Sequence, residues 1–380
     1  MTHNFSRQRY REIPLSSLMV FSMIYTCLVS WSYGKSYLLY SALSILSILI
    51  AFGVFSAHVF PKCSKTEFIC ILVIILTTIM GFLNSGVMSS IQVNASVLMP
   101  FAIAYFNIQY KNLKKQIIIV AILNLLISVF LTTGFILNSN SMAFLVYSGC
   151  SAGFIWFVLE NKLRGKILAG IYLLISAGVL LGVGSRNAGI VLMICFVLLL
   201  VPKRFYQAPV FYRTAYILAI LLTVFASNVM EYIFNNMNIM DVLLEFTTSF
   251  SDKAWEMEGH LDMLLYAQMK FSQLGIFEKI FGEGVRLHHC HNLFYQCLFF
   301  YGYIGTIMLY GLLGYIFEQG FKLYRIHGNK LTLACCIVLL GHFLMQIGEV
   351  YMFGSEAMCL IALVPMGIIL QQKRTCIETY

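Results

Sequence analysis

The chain has 380 residues, of which 60% are hydrophobic and 11% charged, with a mean hydropathy of +0.83. Soluble globular domains hold about 45–50% apolar and about 25% charged residues, so that class is excluded and a polytopic membrane protein is implied. The net charge of +9 raises a nucleic-acid partner as a question, which the placement of the basic residues answers below.

A helical span takes about 20 mainly apolar residues. Hydropathy predicts twelve spans, at about 15–33, 37–58, 67–84, 91–107, 116–137, 142–159, 167–184, 187–201, 214–234, 291–317, 331–347 and 357–370. The expected fold is therefore an all-α integral membrane protein, one polytopic domain over residues 1–380, with a larger loop at about 235–290. The run at 187–201 is short for a bilayer and calls for tilt or local thinning. No small-x-small site follows the first apolar run, which reads as a retained signal anchor.

Lysine and arginine gather in short cytoplasmic loops. With Arg7, Arg9 and Arg11 inside, the loops holding Lys62, Lys111, Lys162, Lys203, Lys322 and Lys373 are inside as well, and nineteen of the 25 basic residues share one side. Both termini are then cytoplasmic and the loop of 235–290 lies outside. The net charge follows from topology and needs no nucleic acid.

Along the chain, chemistry begins after the fifth span. Asn138-Ser139-Asn140-Ser141 supplies caps for the next helix, and as a bland reading is only a polar turn. Arg186, in Gly184-Ser185-Arg186-Asn187, is nearly the sole charge in about 35 apolar residues. Such a charge faces a cavity or an anionic partner, or it snorkels to lipid headgroups. Arginine suits bidentate contact with phosphate oxygens.

The loop of 235–290 carries eight acids and four bases. Asp262 to Phe271 predicts an amphipathic helix, and Gly282-Glu283-Gly284 predicts a turn. At about 56 residues the loop is too small for a domain of its own and is expected to lie over the membrane surface. It leads into His288-His289-Cys290-His291-Asn292, where the next apolar run starts. Consecutive residues rarely converge on one tetrahedral ion, so no metal is expected. The eleven cysteines contain no CxxC pair and read as small apolar packing residues. If a helix starts at His291, that residue and Gly302 share a face within about 20° and about 16 Å. A titratable group would then sit above a strip bare of side chain, open to a lipid tail or a partner helix. Asn140, Ser185-Arg186 and His291-Asn292 all fall at outer helix starts, where free N–H groups and the helix dipole favour anions.

These segments carry a resemblance. Asn140-Ser-Met-Ala143, Gly184-Ser185-Arg186-Asn187-Ala188, Phe281-Gly282-Glu283-Gly284 and His291-Asn292-x₉-Gly302-x₂-Gly305 resemble the O-antigen ligase and O-antigen polymerase superfamily of bacterial envelope assembly, over about residues 135–320. The resemblance implies an inverting glycosyltransferase of the inner membrane that uses neither metal nor cofactor. It would take a glycan from undecaprenyl diphosphate at the periplasmic face and pass it to an acceptor hydroxyl. Lipid-linked glycans would be its substrates, membrane lipid its surroundings and a chain-length-regulating protein its partner. Arg186 would hold the diphosphate with Asn140, Ser185 and Asn292 nearby, and His291 would activate the acceptor or assist the leaving group. Glu258 and Asp262 stay open as alternative bases. The Gly-Arg pair common in this family before Phe-Gly-x-Gly is Gly259-His260 here, so His260, Lys253 or Arg286 would stand in for the arginine. Within the superfamily the expectation is a polymerase joining lipid-linked repeat units, with the ligase that acts on lipid A-core as the alternative. A transporter of lipid-linked sugars also fits twelve spans, but it predicts charged or broken helices at mid-membrane and internal repeats, whereas no convincing repeat is found and the notable charges lie at the outer mouth.

Overall fold

The computed structural model describes residues 12–32, 35–58, 65–133, 139–182, 186–235, 251–285, 290–347 and 360–378. Their helices are α1 (Leu15–Ser32), α2 (Tyr37–His58), α3 (Lys65–Leu83), α4 (Val87–Tyr105), α5 (Leu113–Thr133), α6 (Ser139–Leu159), α7 (Leu163–Gly182) and α8 (Arg186–Leu200). There follow α9 (Lys203–Gln207), α10 (Pro209–Val224), α11 (Ala226–Asn235), α12 (Ser251–Gln273), α13 (Ile276–Phe281), α14 (Leu293–His327), α15 (Lys330–Met345) and α16 (Leu360–Glu378). Two-residue strands β1 (Ile13–Pro14) and β2 (Ile108–Gln109) pair in parallel. Among the described residues six helices are long and apolar enough to cross a membrane, and five shorter apolar helices accompany them. The chain is an all-α, multi-pass membrane protein.

Its exterior is apolar, with Phe82, Leu126, Phe130 and Leu174 exposed, while buried amides join helices inside. Asn94 Nδ2 donates to Thr78 Oγ1 at 3.1 Å, linking α4 to α3, and Asn124 Nδ2 donates to Leu145 O at 2.8 Å, linking α5 to α6. In a bilayer core such bonds hold helices together without help from water.

Basic residues from separate loops meet at one end of the bundle. Lys114 pairs with Glu160, Lys330 Nζ donates to Asn161 Oδ1 at 2.6 Å, and Arg374 lies 4.2 Å from the Tyr105 ring centroid. The hydrogen bond from Lys114, followed by that from the Lys162 N–H, holds the Glu160 carboxyl down to about 2. We call this end inner and the opposite end outer. Here Gly328, at φ +64°, ends α14, and Asn329 at once caps α15 by accepting from Leu331 N and Thr332 N. A left-handed glycine followed by a side-chain cap makes the tightest turn between antiparallel helices.

Two expected spans differ from the helices found. The run at 214–234 is divided: α10 ends at Val224, and α11 belongs with the loop, where Ser227 Oγ accepts from Gln268 Nε2 of α12 at 2.5 Å. The run at 291–317 becomes α14, 35 residues long and broken at Gly302, whose φ of 61° and ψ of −170° are not helical. Only glycine occupies that region without strain.

The break reverses the chain. Phe294 and Tyr310 are sixteen positions apart, which would separate them by about 24 Å on a straight helix. Their ring centroids are 6.3 Å apart, so residues 293–301 fold back along residues 303–327. A strap from the loop closes over the tip, with Glu283 N donating to Phe299 O at 2.7 Å and Gly284 N to Phe300 O at 3.2 Å. Those carbonyls lose their helical partners at the break, so the strap satisfies them. Both glycines of the strap have positive φ; a Cβ on Gly284 would run into the backbone of Gly81, and one on Gly302 into Ile280 and Gly282.

Candidate functional site

The reversal sets the depth of His291. Helices α10 and α15 run antiparallel to α14: Tyr212 stacks on Phe321 at 4.5 Å, Tyr216 Oη donates to Tyr310 O at 2.6 Å, and Phe343 lies 5.5 Å from Tyr310. Both therefore end outward near the level of Tyr310, roughly 12 Å inside the tip at Gly302 by helix rise. The start of α14 returns to that same level.

Asn292 fixes the start. It is fully buried and its amide is wholly engaged by protein: Nδ2 donates to Thr223 O of α10 (3.1 Å) and to Ile347 O beyond α15 (3.3 Å), and Oδ1 accepts from Tyr295 N (3.2 Å). Leu293 N donates to Gln346 O at 3.1 Å. The start of α8 reaches the same short segment, since Asn187 Nδ2 donates to Met345 O at 2.8 Å. Met345 to Ile347 thus gathers two of the three outer helix starts that the sequence singles out. The third, of α6, is joined one layer deeper, where the Tyr147 ring packs edge-on against His342 at 4.8 Å and its hydroxyl lies 3.4 Å from Cys195 Sγ of α8.

The arrangement around His291 differs from the sequence expectation. His291 precedes the cap, half-buried and at φ +48°, and α14 begins only at Leu293. Its phase relation to Gly302 is lost, first because it lies outside the helix and again because Gly302 breaks it. Gly302 serves as a pivot for backbone crossing and does not form a bare slot. Nor does α14 offer a set of free N–H groups, because Leu293, Tyr295 and Gln296 already have acceptors in Gln346 O, Asn292 Oδ1 and Asn292 O. What remains for an anion at this terminus is the helix dipole.

The turn is held from within by a residue that the sequence reading treats as packing. The Cys290 thiol, 1% exposed, lies 3.3 Å from Asn292 O and 3.2 Å from Gln296 Oε1, bridging across His291. Gln296 is equally buried, and its Nε2 finds no acceptor among the described residues. Gln296, His342 and Gln346 are polar side chains in apolar runs, and that was the available signal of a site.

The loop helix covers this assembly. Leu264, Ala267 and Phe271, at spacings of three and four, form the stripe expected of an amphipathic helix, and Ala267 and Phe271 pack with Cys290, Leu298 and Phe299. In the strap, burial and then the charge of Glu278 push the Glu283 carboxyl up from its ordinary value.

Of the remaining candidates, Arg186 is the first residue of α8, Asn140 lies in the first turn of α6 and His260 lies in α12 one turn before Leu264; their side chains are outside the description. Ser185 and Arg286, together with His288 and His289, lie outside the described residues. The sequence matches no protein-family model and no curated protein.

Proposed function

We propose that the chain is a glycosyltransferase of the O-antigen polymerase type, with twelve spans and both termini cytoplasmic, joining undecaprenyl-diphosphate-linked repeat units at the periplasmic face of the inner membrane. One observation carries the reading: α8, which begins with Arg186, and the turn at His291 are both tied to Met345–Ile347. The start of α8 at Arg186 and the turn at His291 thereby come from separate parts of the chain to one level of the bundle, which supports pairing an anion-holding residue with a histidine.

In the proposed reaction an acceptor hydroxyl attacks the anomeric carbon. The bond from that carbon to the diphosphate oxygen breaks, and undecaprenyl diphosphate leaves with the electron pair. Arg186 stabilises the charge on the leaving group, and His291 takes the proton of the acceptor. Because diphosphate is a good leaving group, charge stabilisation and orientation suffice. Asn292 positions the turn through its buried bonds. A chain-length-regulating protein is the partner that such a polymerase would have.

The lipopolysaccharide pattern of a deletion strain tests the assignment. Loss of the ladder with a single repeat retained on the core is expected. Bare core with accumulated lipid-linked polymer would assign the chain to the ligase type, and an unchanged pattern would remove both.

A further inference from the structure

Helix α13 has inverted polarity. Ile276 and Phe277 are 79% and 54% exposed, whereas Glu278 and Lys279 in the same turn are half-buried, with Lys279 Nζ donating to Ser272 O at 2.7 Å. Water-facing helices bury the first kind of residue and expose the second. The height of α13 is fixed by its neighbours. Its Ile280 backbone lies against Gly302, and the strap that follows lies against Gly81, two residues before the outer end of α3. Exposed apolar side chains continue from α13 in both directions. Tyr303, Ile304 and Ile307 follow on the outer turns of α14, and Phe82 and Leu83 end α3. Phe271 meets Tyr303 edge-on at 5.3 Å, joining α12 to this face. At its margin Lys270 lies 5.5 Å from the Tyr266 ring, a pairing of ring and ammonium typical of the headgroup layer.

We propose that the elbow between α12 and α13 is seated in the outer leaflet, with Ile276 and Phe277 among lipid acyl chains. The partner is the bilayer because the patch is continuous with the lipid-facing surface of α14 and α3 at the same height. A soluble protein would have to cover residues that the membrane already covers. The elbow leads directly into the Gly282–Gly284 strap, so lipid fastens the strap that closes the tip of α14.

The experiment uses the full chain in vesicles with Trp31, Trp156 and Trp255 replaced by phenylalanine and Phe277→Trp as the sole reporter. Its emission should be lost to lipid brominated in the upper acyl chain and should be shielded from aqueous iodide, since interfacial elements sit about 5–10 Å into the boundary. Should that variant not accumulate, Ile276→Trp is read in the same way. Quenching by iodide together with indifference to brominated lipid would overturn the proposal and leave the face to a soluble protein.

Discussion

At the scale of single residues, Asn292 and His291 are neighbours that the fold treats differently, the first fully buried and the second half-buried. Asn292 gives both amide N–H donors to Thr223 and Ile347 and accepts from Tyr295 on its oxygen, in a place with no exposure to solvent. Asn292→Ala would take a donor from the buried Thr223 carbonyl and the half-buried Ile347 carbonyl and remove a cap, at a cost on the order of 2–4 kcal/mol. Thermal unfolding in detergent should therefore fall clearly for Asn292→Ala and stay near wild type for His291→Ala. Equal stability of the two would mean that the amide is not holding the helix start. The motif was visible in the sequence as a pair, but the capping and anchoring part of Asn292 was not. An asparagine that caps and one that binds substrate look alike until their partners, here 55 and 69 positions away, are known.

At the scale of elements, the reversal of α14 at Gly302 decides where every site residue lies. Substituting alanine there imposes a left-handed φ on a side chain and drives its Cβ into the Ile280–Gly282 backbone, so strain of about 1–3 kcal/mol adds to a clash that backbone cannot relieve. Gly302→Ala should sharply reduce the amount of folded protein. Gly311, on the same helix with nothing within 4 Å of where a methyl would stand, provides the contrast. Gly311→Ala should be neutral or gain about 0.5–1 kcal/mol. Size-exclusion profiles and unfolding temperatures of the two variants would separate them, and a well-folded Gly302→Ala protein would contradict the reversal. Hydropathy located the six runs that form helices long enough to span, because a run such as 37–58 announces itself through its own residues. The reversal was hidden because α14 is apolar on both sides of Gly302, from Cys297 to Phe317 apart from Thr306, and a glycine in an apolar run signals a packing contact as readily as a break. Likewise 214–234 read as one span because Phe225, where α10 gives way to α11, is as apolar as its surroundings.

At the scale of the whole molecule, the basic loops meet at one end and the candidate site forms toward the other. That separation matches the grouping of lysine and arginine on one side that the sequence suggests. Reporter fusions after Lys115, Lys166, Arg213 and Lys330 should read as cytoplasmic, and a fusion at Gly259 as periplasmic. A cytoplasmic signal at Gly259 would place the site in the wrong compartment for a periplasmic lipid-linked glycan. The central claim is that Arg186 and His291, brought to one level by Met345–Ile347, perform glycosyl transfer. Its most direct measurement is the rate at which purified wild-type, Arg186→Ala and His291→Ala proteins elongate undecaprenyl-diphosphate-linked repeat units, with folded protein quantified in each sample. The account predicts elongation by the wild type, loss of about 10²–10⁴-fold in His291→Ala, and loss in Arg186→Ala that lysine restores only in part. Wild-type rates in both alanine variants would contradict it.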